Sequence, residues 1–328
     1  SHEIRTPMNA IVGFSKLALE TDLDRKQHEY LTSIDNAAQN LLTLVSDVLD
    51  FSKIEAGKLE LEAIPFNLKE FLGESLRIVA AKAHEKNLEL AYRVDPDVPE
   101  TIVGDPARVR QIVLNLIGNA VKFTDKGEII LVVAPETNGQ EPYHLVFSVR
   151  DTGIGIPKKK QESIFGAFAQ ADGSTTRKYG GTGLGLAVSK QLVTLMGGRI
   201  WIESPVSSGQ TTSRGDTAGP GSAFHFTAHF KRPLTDSDAT IHKPDIDISS
   251  IKGLVVDDNL SNLEIIMEMM ESWHVSPTGT TTAEEAKEIL SEAQASGNPF
   301  GLVLIDSDMP GADGLSLAGW IRNQNSLD

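Results

Sequence analysis

Hydrophobic positions fall into three rhythms along the chain, and each predicts a different kind of unit. Between residues 25 and 56, Leu31, Ile34, Ala38, Leu41, Val45, Val48 and Ser52 recur at alternating steps of three and four. That is the a/d seam of a long helix, sustained over about three heptads. Leu42 and Leu49 widen it, so the helix is apolar over more than a coiled-coil seam. Ile4, Met8, Ile11 and Leu19 mark a shorter helix before it, and Thr21-Asp22-Leu23-Asp24 reads as the turn. Two such helices make an αα-hairpin. The hairpin cannot bury both flanks alone, which predicts an all-α, dimeric four-helix bundle built by two chains.

Residues 57–230 change to short strand-like runs and amphipathic helices. The runs are Leu88–Val94, Glu128–Val133, His144–Val149, Arg199–Glu203 and Ala223–Phe230, with helices at about 67–86, 106–123 and 184–196. The strands look antiparallel and no βαβ repeat is visible, so the expectation is an α/β sandwich with one covered sheet face. Residues 207–221 form a polar, Gly-rich loop. Residues 231–250 are polar and Pro-interrupted, which marks a linker.

From residue 251 short buried strands alternate with helices: Leu254–Val256, Leu263–Trp273, Ala283–Ala295 and Leu302–Ile305. This predicts a doubly wound parallel α/β sheet.

Charge sharpens that division. The 328 residues carry a formal net charge of −15, and residues 251–328 hold 13 acidic against 3 basic side chains, −10 of that total. No basic excess is available to neutralise phosphates, so the expectation is no nucleic-acid partner. With no cysteine, a disulfide scaffold, a thiolate zinc site and a Cys nucleophile are excluded. No apolar run approaches the roughly 20 residues that span a bilayer. Ser1-His2-Glu3 is not a signal peptide, and the chain reads as a piece of a longer protein.

Three motifs in the middle unit carry chemistry. On the helix Arg108–Thr124, Val109, Ile112, Val113, Leu116 and Ala120 form one face, and Arg108, Gln111, Asn115, Asn119 and Lys122 the other. Asn is a poor helix former, and its amide oxygen suits a hard cation such as Mg2+ that shares phosphate oxygens. Next, the strand His144–Arg150 ends in Asp151-Thr152-Gly153-Ile154-Gly155. A carboxylate followed by glycines lets a flat base approach closely, and Asp151 can accept from an exocyclic amine. Last, Gly180-Gly181-Thr182-Gly183-Leu184-Gly185-Leu186 opens a helix, where backbone N–H groups and the dipole cradle phosphates. Ala169–Tyr179 has the composition of a lid, and Phe165 and Phe168 read as its anchors.

NLIGNAVKF, DTGIG, FGAF and GTGLGL, in this order, resemble the N, G1, F and G2 boxes of the Bergerat-type ATP-binding fold. SHEIRTPM at the start resembles the H box of sensor histidine kinases, which chaperone- and topoisomerase-like ATPases of that fold lack. Residues 251–328, with Asp257-Asp258 and LVLIDSDMPGADG, resemble a flavodoxin-like receiver domain. The whole chain is therefore similar to a hybrid sensor histidine kinase of the two-component systems.

The resemblance implies roles. His2 is the nucleophile and phosphorylation site, Glu3 orients it or takes a proton, and Thr6, one turn on, matches the ExxT pattern of phosphatase activity. Pro7 would kink the helix beside them. Asn119 is the Mg2+ ligand with Asn115 in support, and Lys122 reaches phosphate. Asp151 binds adenine, with Gly153 and Gly155 allowing its approach. Gly181, Thr182, Gly183, Leu184 and Gly185 wrap the phosphates, and Arg177 or Lys178 meets the γ-phosphate. Asp257, Asp258 and Asp306 hold a second Mg2+, with Asp306 accepting a phosphoryl group. The cofactors implied are ATP and Mg2+.

The implied partners are a second copy of the hairpin and a receiver or histidine-phosphotransfer protein. The implied location is the cytoplasmic side of an inner membrane, reached only through a segment upstream. The expected divisions are a phosphoacceptor hairpin at 1–62, an ATP-binding domain at 63–232, a linker at 233–250 and the first part of a receiver at 251–328. The chain stops before the strands where receivers carry a Ser/Thr and a Lys, so poor phosphotransfer is expected of that piece. The competing reading is a degenerate kinase that binds ATP or other kinases without chemistry of its own. Seven other histidines (His28, His84, His144, His225, His229, His242 and His274) are left as ordinary surface or core residues.

Overall fold

A computed structural model describes residues 2–136, 143–167, 183–206, 219–233, 251–307, 309 and 314–323, with only the backbone of residues 2, 3 and 5. The hairpin is α1 (His2–Leu19), which contains Pro7, and α2 (Arg25–Glu55). Asp24 closes the turn and starts α2 with a capping box, accepting from Gln27 N–H while the Gln27 side chain accepts from Asp24 N–H. Such a cap contributes about 1 kcal/mol. Ser15 donates to Asp35 across the hairpin at 3.1 Å, which sets its register. With both helices rising equally, the level of His2 falls near about position 48 of α2. The seam stays open in the single chain: Ile34, Leu41 and Val48 are exposed, and Phe14 on α1 is 72% exposed.

The middle unit runs β1 (Ile64–Asn67), α3 (Leu68–Glu85), β2 (Leu88–Val94), β3 (Thr101–Gly104), α4 (Pro106–Phe123), β4 (Gly127–Pro135), β5 (His144–Asp151), α5 (Gly185–Leu195), β6 (Ile200–Glu203) and β7 (Ser222–His229). Its sheet has 5 strands in the order β2-β4-β5-β7-β6. One expectation needs correction: β2 joins β4 parallel, while the other pairs are antiparallel. The segment β3–α4 lies between β2 and β4 and carries the chain back over the sheet, which is what a parallel pair requires. The ribbon of β1 and β3 was invisible in the sequence, since 4 residues per strand are too few to show a period.

Leu145, Phe147 and Val149 point to the face covered by α3, α4 and α5, where Phe147 stacks on Phe226 at 4.6 Å. The intervening Val146, Ser148 and Arg150 point to the other face, as a half-buried strand demands. The hairpin is tied to this unit through α2. Phe51 and Ile54 pack against its core, and Asp50 accepts from Arg108 at 3.2 Å and from Gln111 at 3.0 Å.

The last unit is β8 (Lys252–Val256), α6 (Leu260–Ser272), β9 (Ser276–Thr280), α7 (Ala283–Ala295), β10 (Leu302–Ile305) and α8 (Gly314–Asn323), a parallel sheet of 3 strands ordered β10-β8-β9. β9 reads Ser-Pro-Thr-Gly-Thr and carries no strand signal of its own; its pairing with β8 makes it one. This unit rests on the second face of the larger sheet at its β2 edge. Arg93 meets Glu268 at 2.7 Å, Asn262 donates to Glu89 at 3.2 Å, and Ser261 donates to Glu128 at 3.2 Å. The sheet face read as uncovered is thus partly covered at one edge.

Candidate nucleotide site and acidic cluster

α4 is started by Asp105, whose carboxylate accepts from Arg108 N–H at 3.1 Å and from Glu62 N–H at 3.2 Å. Its apolar face, from Val109 through Val121, is buried, so the amide face looks along the covered side toward α5. Asn115 donates to Ser189 at 2.9 Å, and the side chain of Asn115 lies against Gly185, where a β-carbon would clash. Asn115 therefore spans from α4 to the first turns of α5. Asn119 follows one turn later, half-buried. Burial holds the Lys122 pKa below its ordinary value, and its Nζ lies 4.8 Å over the Phe123 ring. Lys86 caps the end of α4, donating to Val121, Lys122 and Thr124 carbonyls at 2.6, 3.2 and 3.1 Å. No sequence pattern announces that cap, because the lysine comes from another helix end.

Asp151 closes β5 and is buried. Desolvation pushes its pKa up to about 6, against hydrogen bonds from the Gly153 and Ser222 backbone. A β-carbon on Gly153 would lie 2.5 Å from the Phe123 carbonyl and 2.8 Å from both Asp151 Oδ1 and Thr124 Oγ1. Only glycine fits that concave polar wall. The Thr124 hydroxyl is sealed from solvent with no hydrogen-bond partner among the described residues. An orphaned buried hydroxyl beside an acceptor carboxylate costs about 1–3 kcal/mol, and a planar base with donor and acceptor edges would satisfy both. Gly155, at φ +68°, turns the chain away, and Gly221 N–H holds the Gly153 carbonyl at 3.0 Å. Thr124 and the 219–221 strap were missed by sequence reading; their roles come from where α4 and β7 begin and end. Gly183, Leu184 and Gly185 enter α5 nearby, with Gly183 at φ +70°. Arg177, Lys178, Gly181 and Thr182, the proposed lid and Phe168 lie outside the described residues.

His2, Glu3 and Thr6 share α1, with positions 2 and 6 one turn apart. At their level on α2 stand Asp47, whose pKa burial and then the Asp50 charge raise, and Asp50, bound to α4. In the last unit, Asp257, Asp258 and Asp306 bring carboxylate oxygens within 4.8 Å of one another. Burial lifts the Asp257 pKa to about 6; Asn259 N–H opposes this, and the charges of Asp306, Asp258 and Glu89 add to it. Such crowding is what a hard divalent cation relieves.

Three family models match, in chain order: "His Kinase A (phospho-acceptor) domain" over residues 1–57, "Histidine kinase-, DNA gyrase B-, and HSP90-like ATPase" over 104–232, and "Response regulator receiver domain" over 254–327. Signal transduction histidine-protein kinase BarA of Escherichia coli K12 is 47% identical over 211 residues, 64% of this chain and 23% of that protein. Sensor protein GacS of Pseudomonas syringae is 44% identical over 244 residues, 74% of this chain and 26% of that protein. The chain thus spans about a quarter of the length of these relatives. Among solved structures, full-length ShkA in complex with AMPPNP superposes with a TM-score of 0.65 and 26% identity, over 97% of this chain and 69% of that one. The order of domains is that of a kinase transmitter followed by a receiver. The chain belongs to the hybrid sensor histidine kinases.

Proposed function

We propose that this chain transfers the γ-phosphoryl group of ATP to His2 and relays it to a receiver aspartate, Asp306 or one on a partner. The observation that carries the reading is the polar wall of Asp151, Gly153 and Thr124, set at the end of the same helix α4 that Asp50 ties to the histidine-bearing hairpin. Adenine would give its exocyclic amine proton to the Asp151 carboxylate as a hydrogen bond. Thr124 would gain the partner it lacks. Gly183 and Gly185, at the start of α5, would offer N–H groups to the phosphates.

A neutral ring nitrogen of His2 attacks the γ-phosphorus as a nucleophile. The bond from phosphorus to the β,γ-bridging oxygen breaks, and ADP leaves with that electron pair. Glu3 takes the proton from the other ring nitrogen as positive charge builds there. In the relay, an Asp306 oxygen attacks the phosphorus, the phosphorus–nitrogen bond returns its electrons to His2, and Glu3 gives its proton back to the other ring nitrogen, so neutral imidazole leaves. Mg2+, when bound, neutralises the phosphate oxygens. Asn119 would hold it at the kinase site, and Asp257, Asp258 and Asp306 at the receiver. Thr6 would position water for dephosphorylation.

We divide the chain functionally at 1–62, 63–232 and 251–328, with 233–250 as linker. The exposed seam of Ile34, Leu41 and Val48 supports a homodimer. Since ATP is the phosphoryl donor, this segment would face the cytoplasm. The test is incubation with γ-labelled ATP. Acid-labile, base-stable label should appear on the protein and vanish in His2→Ala. Label that persists in His2→Ala would overturn the assignment, and no label with normal ATP binding would leave the degenerate-module reading.

A further inference from the structure

We propose that Glu136, His144 and His229 form a Zn2+ site on the open face of the ATP-binding sheet, at the end remote from the nucleotide. The sheet register builds it. His144 on β5 pairs directly with His229 on β7. Pro135 pairs with Leu145, so Glu136, one step beyond β4, falls opposite His144 and donates its N–H to the His144 carbonyl at 2.7 Å. Residues directly opposite share a face, so three adjacent strands present three donor side chains in one row.

The side chains converge. The two rings stack at 3.8 Å with planes 8° apart, and His229 Nε2 lies 3.5 Å from Glu136 Oε2. One ligand atom from each residue falls within 4.8 Å of the other two. A tetrahedral ion with bonds of about 2.0–2.2 Å needs donors about 3.3 Å apart, each aimed in its own ring plane, so metal binding requires the His144 ring to turn out of the parallel stack. The donor set decides which metal. Two imidazole nitrogens and one carboxylate suit Zn2+ and its neighbours in the first transition row, whereas Mg2+ seeks an all-oxygen shell. Three protein ligands leave a fourth position for water.

The His229 ring is also held from behind. Gly197, at φ +75°, ends α5 against it, and a β-carbon there would lie 2.9 Å from Nδ1. That packing leaves Nε2 to face Glu136, as a positioned ligand requires. Asp151 stands at the opposite end of β5, about 24 Å away at roughly 3.4 Å per residue. The proposed ion is therefore structural: it pins β4, β5 and β7 where the chain leaves the sheet, and takes no part in phosphoryl transfer.

The test uses the full chain with Mg2+ in excess, which occupies the oxygen-only sites. Titration with Zn2+ should show one equivalent bound and raise the thermal midpoint. Co2+ should give the strong visible absorption of a four-coordinate N/O site. His144→Ala and His229→Ala should each weaken binding at least about tenfold while ATP binding persists, which shows the domain is folded. His2→Ala and Asp257→Asn should leave it unchanged. No stoichiometric binding over Mg2+, or binding that survives both His144→Ala and His229→Ala, would overturn the proposal.

Discussion

Asp151 and Asp257 are two strand-end carboxylates whose pKa burial pushes up to about 6, yet their surroundings differ in chemistry. At Asp151 burial alone lifts the pKa, and the neighbouring groups are N–H donors that pull it back. Among the described residues no other charge adds to that shift. At Asp257 burial is joined by three other carboxylates, Asp306, Asp258 and Glu89. The Asp258 oxygens are themselves sealed from solvent. The first surrounding suits a flat base with an amine, as proposed above; the second suits a cation. The same strand-end position acquires opposite chemistry from what the fold brings beside it.

The largest expected effect separates binding from stability. Asp151→Asn should weaken ATP binding by about one to two orders of magnitude, measured by calorimetry, because it loses a charge-assisted acceptor worth about 1.5–3 kcal/mol. The same change should stabilise the ligand-free domain at pH 7 by up to about 3 kcal/mol, the equivalent of a shift of about two pKa units. Loss of both binding and stability would show that the carboxylate is structural.

Next in size, Asp306→Asn and Asp257→Asn should each weaken Mg2+ binding at the receiver by about tenfold or more and leave ATP affinity alone. Equal losses at both sites would collapse the distinction.

The pH dependence divides them further. Both pKa values are raised on folding, so each contribution to ligand-free stability is fully present below about pH 4 and is lost as pH rises through about 6. Ligand binding needs the ionised form and therefore strengthens over the same window. Saturating Mg2+ should move the Asp257 midpoint down and leave that of Asp151 in place; ATP without metal should do the reverse. Resonance-resolved titration of the two carboxyl carbons reads this directly.

The smallest effect sits at Thr124. Thr124→Val should raise ligand-free stability by about 1 kcal/mol, since it removes an unsatisfied buried hydroxyl, and should weaken ATP binding several-fold. Destabilisation would mean that the hydroxyl has a partner.

Much of this was legible along the chain. The 3–4 spacing from Leu31 to Ser52 placed α2, because a seam of that length has one periodic solution. The alternation in His144–Val149 placed β5. Asp151, Gly153 and Asp306 stood out only through the motifs around them, because a strand-end DTGIG by itself also reads as a tight turn. Thr124, Lys86 and Gly221 did not stand out. Each acts on a group far away in sequence, and nothing in its own neighbours encodes that distance. His144 and His229 looked ordinary for the same reason, since 84 intervening residues separate two rings that the β5–β7 register stacks.

The sequence by itself determined the three kinds of unit, their order and the residues with chemical potential, because periodicity and turn chemistry are local properties. Only the tertiary structure decided what each charged group feels. Desolvation, a neighbour's charge and a shared row across strands are set by atoms that meet in space, and they set one aspartate among N–H donors, another among carboxylates, and stacked two histidines distant in sequence.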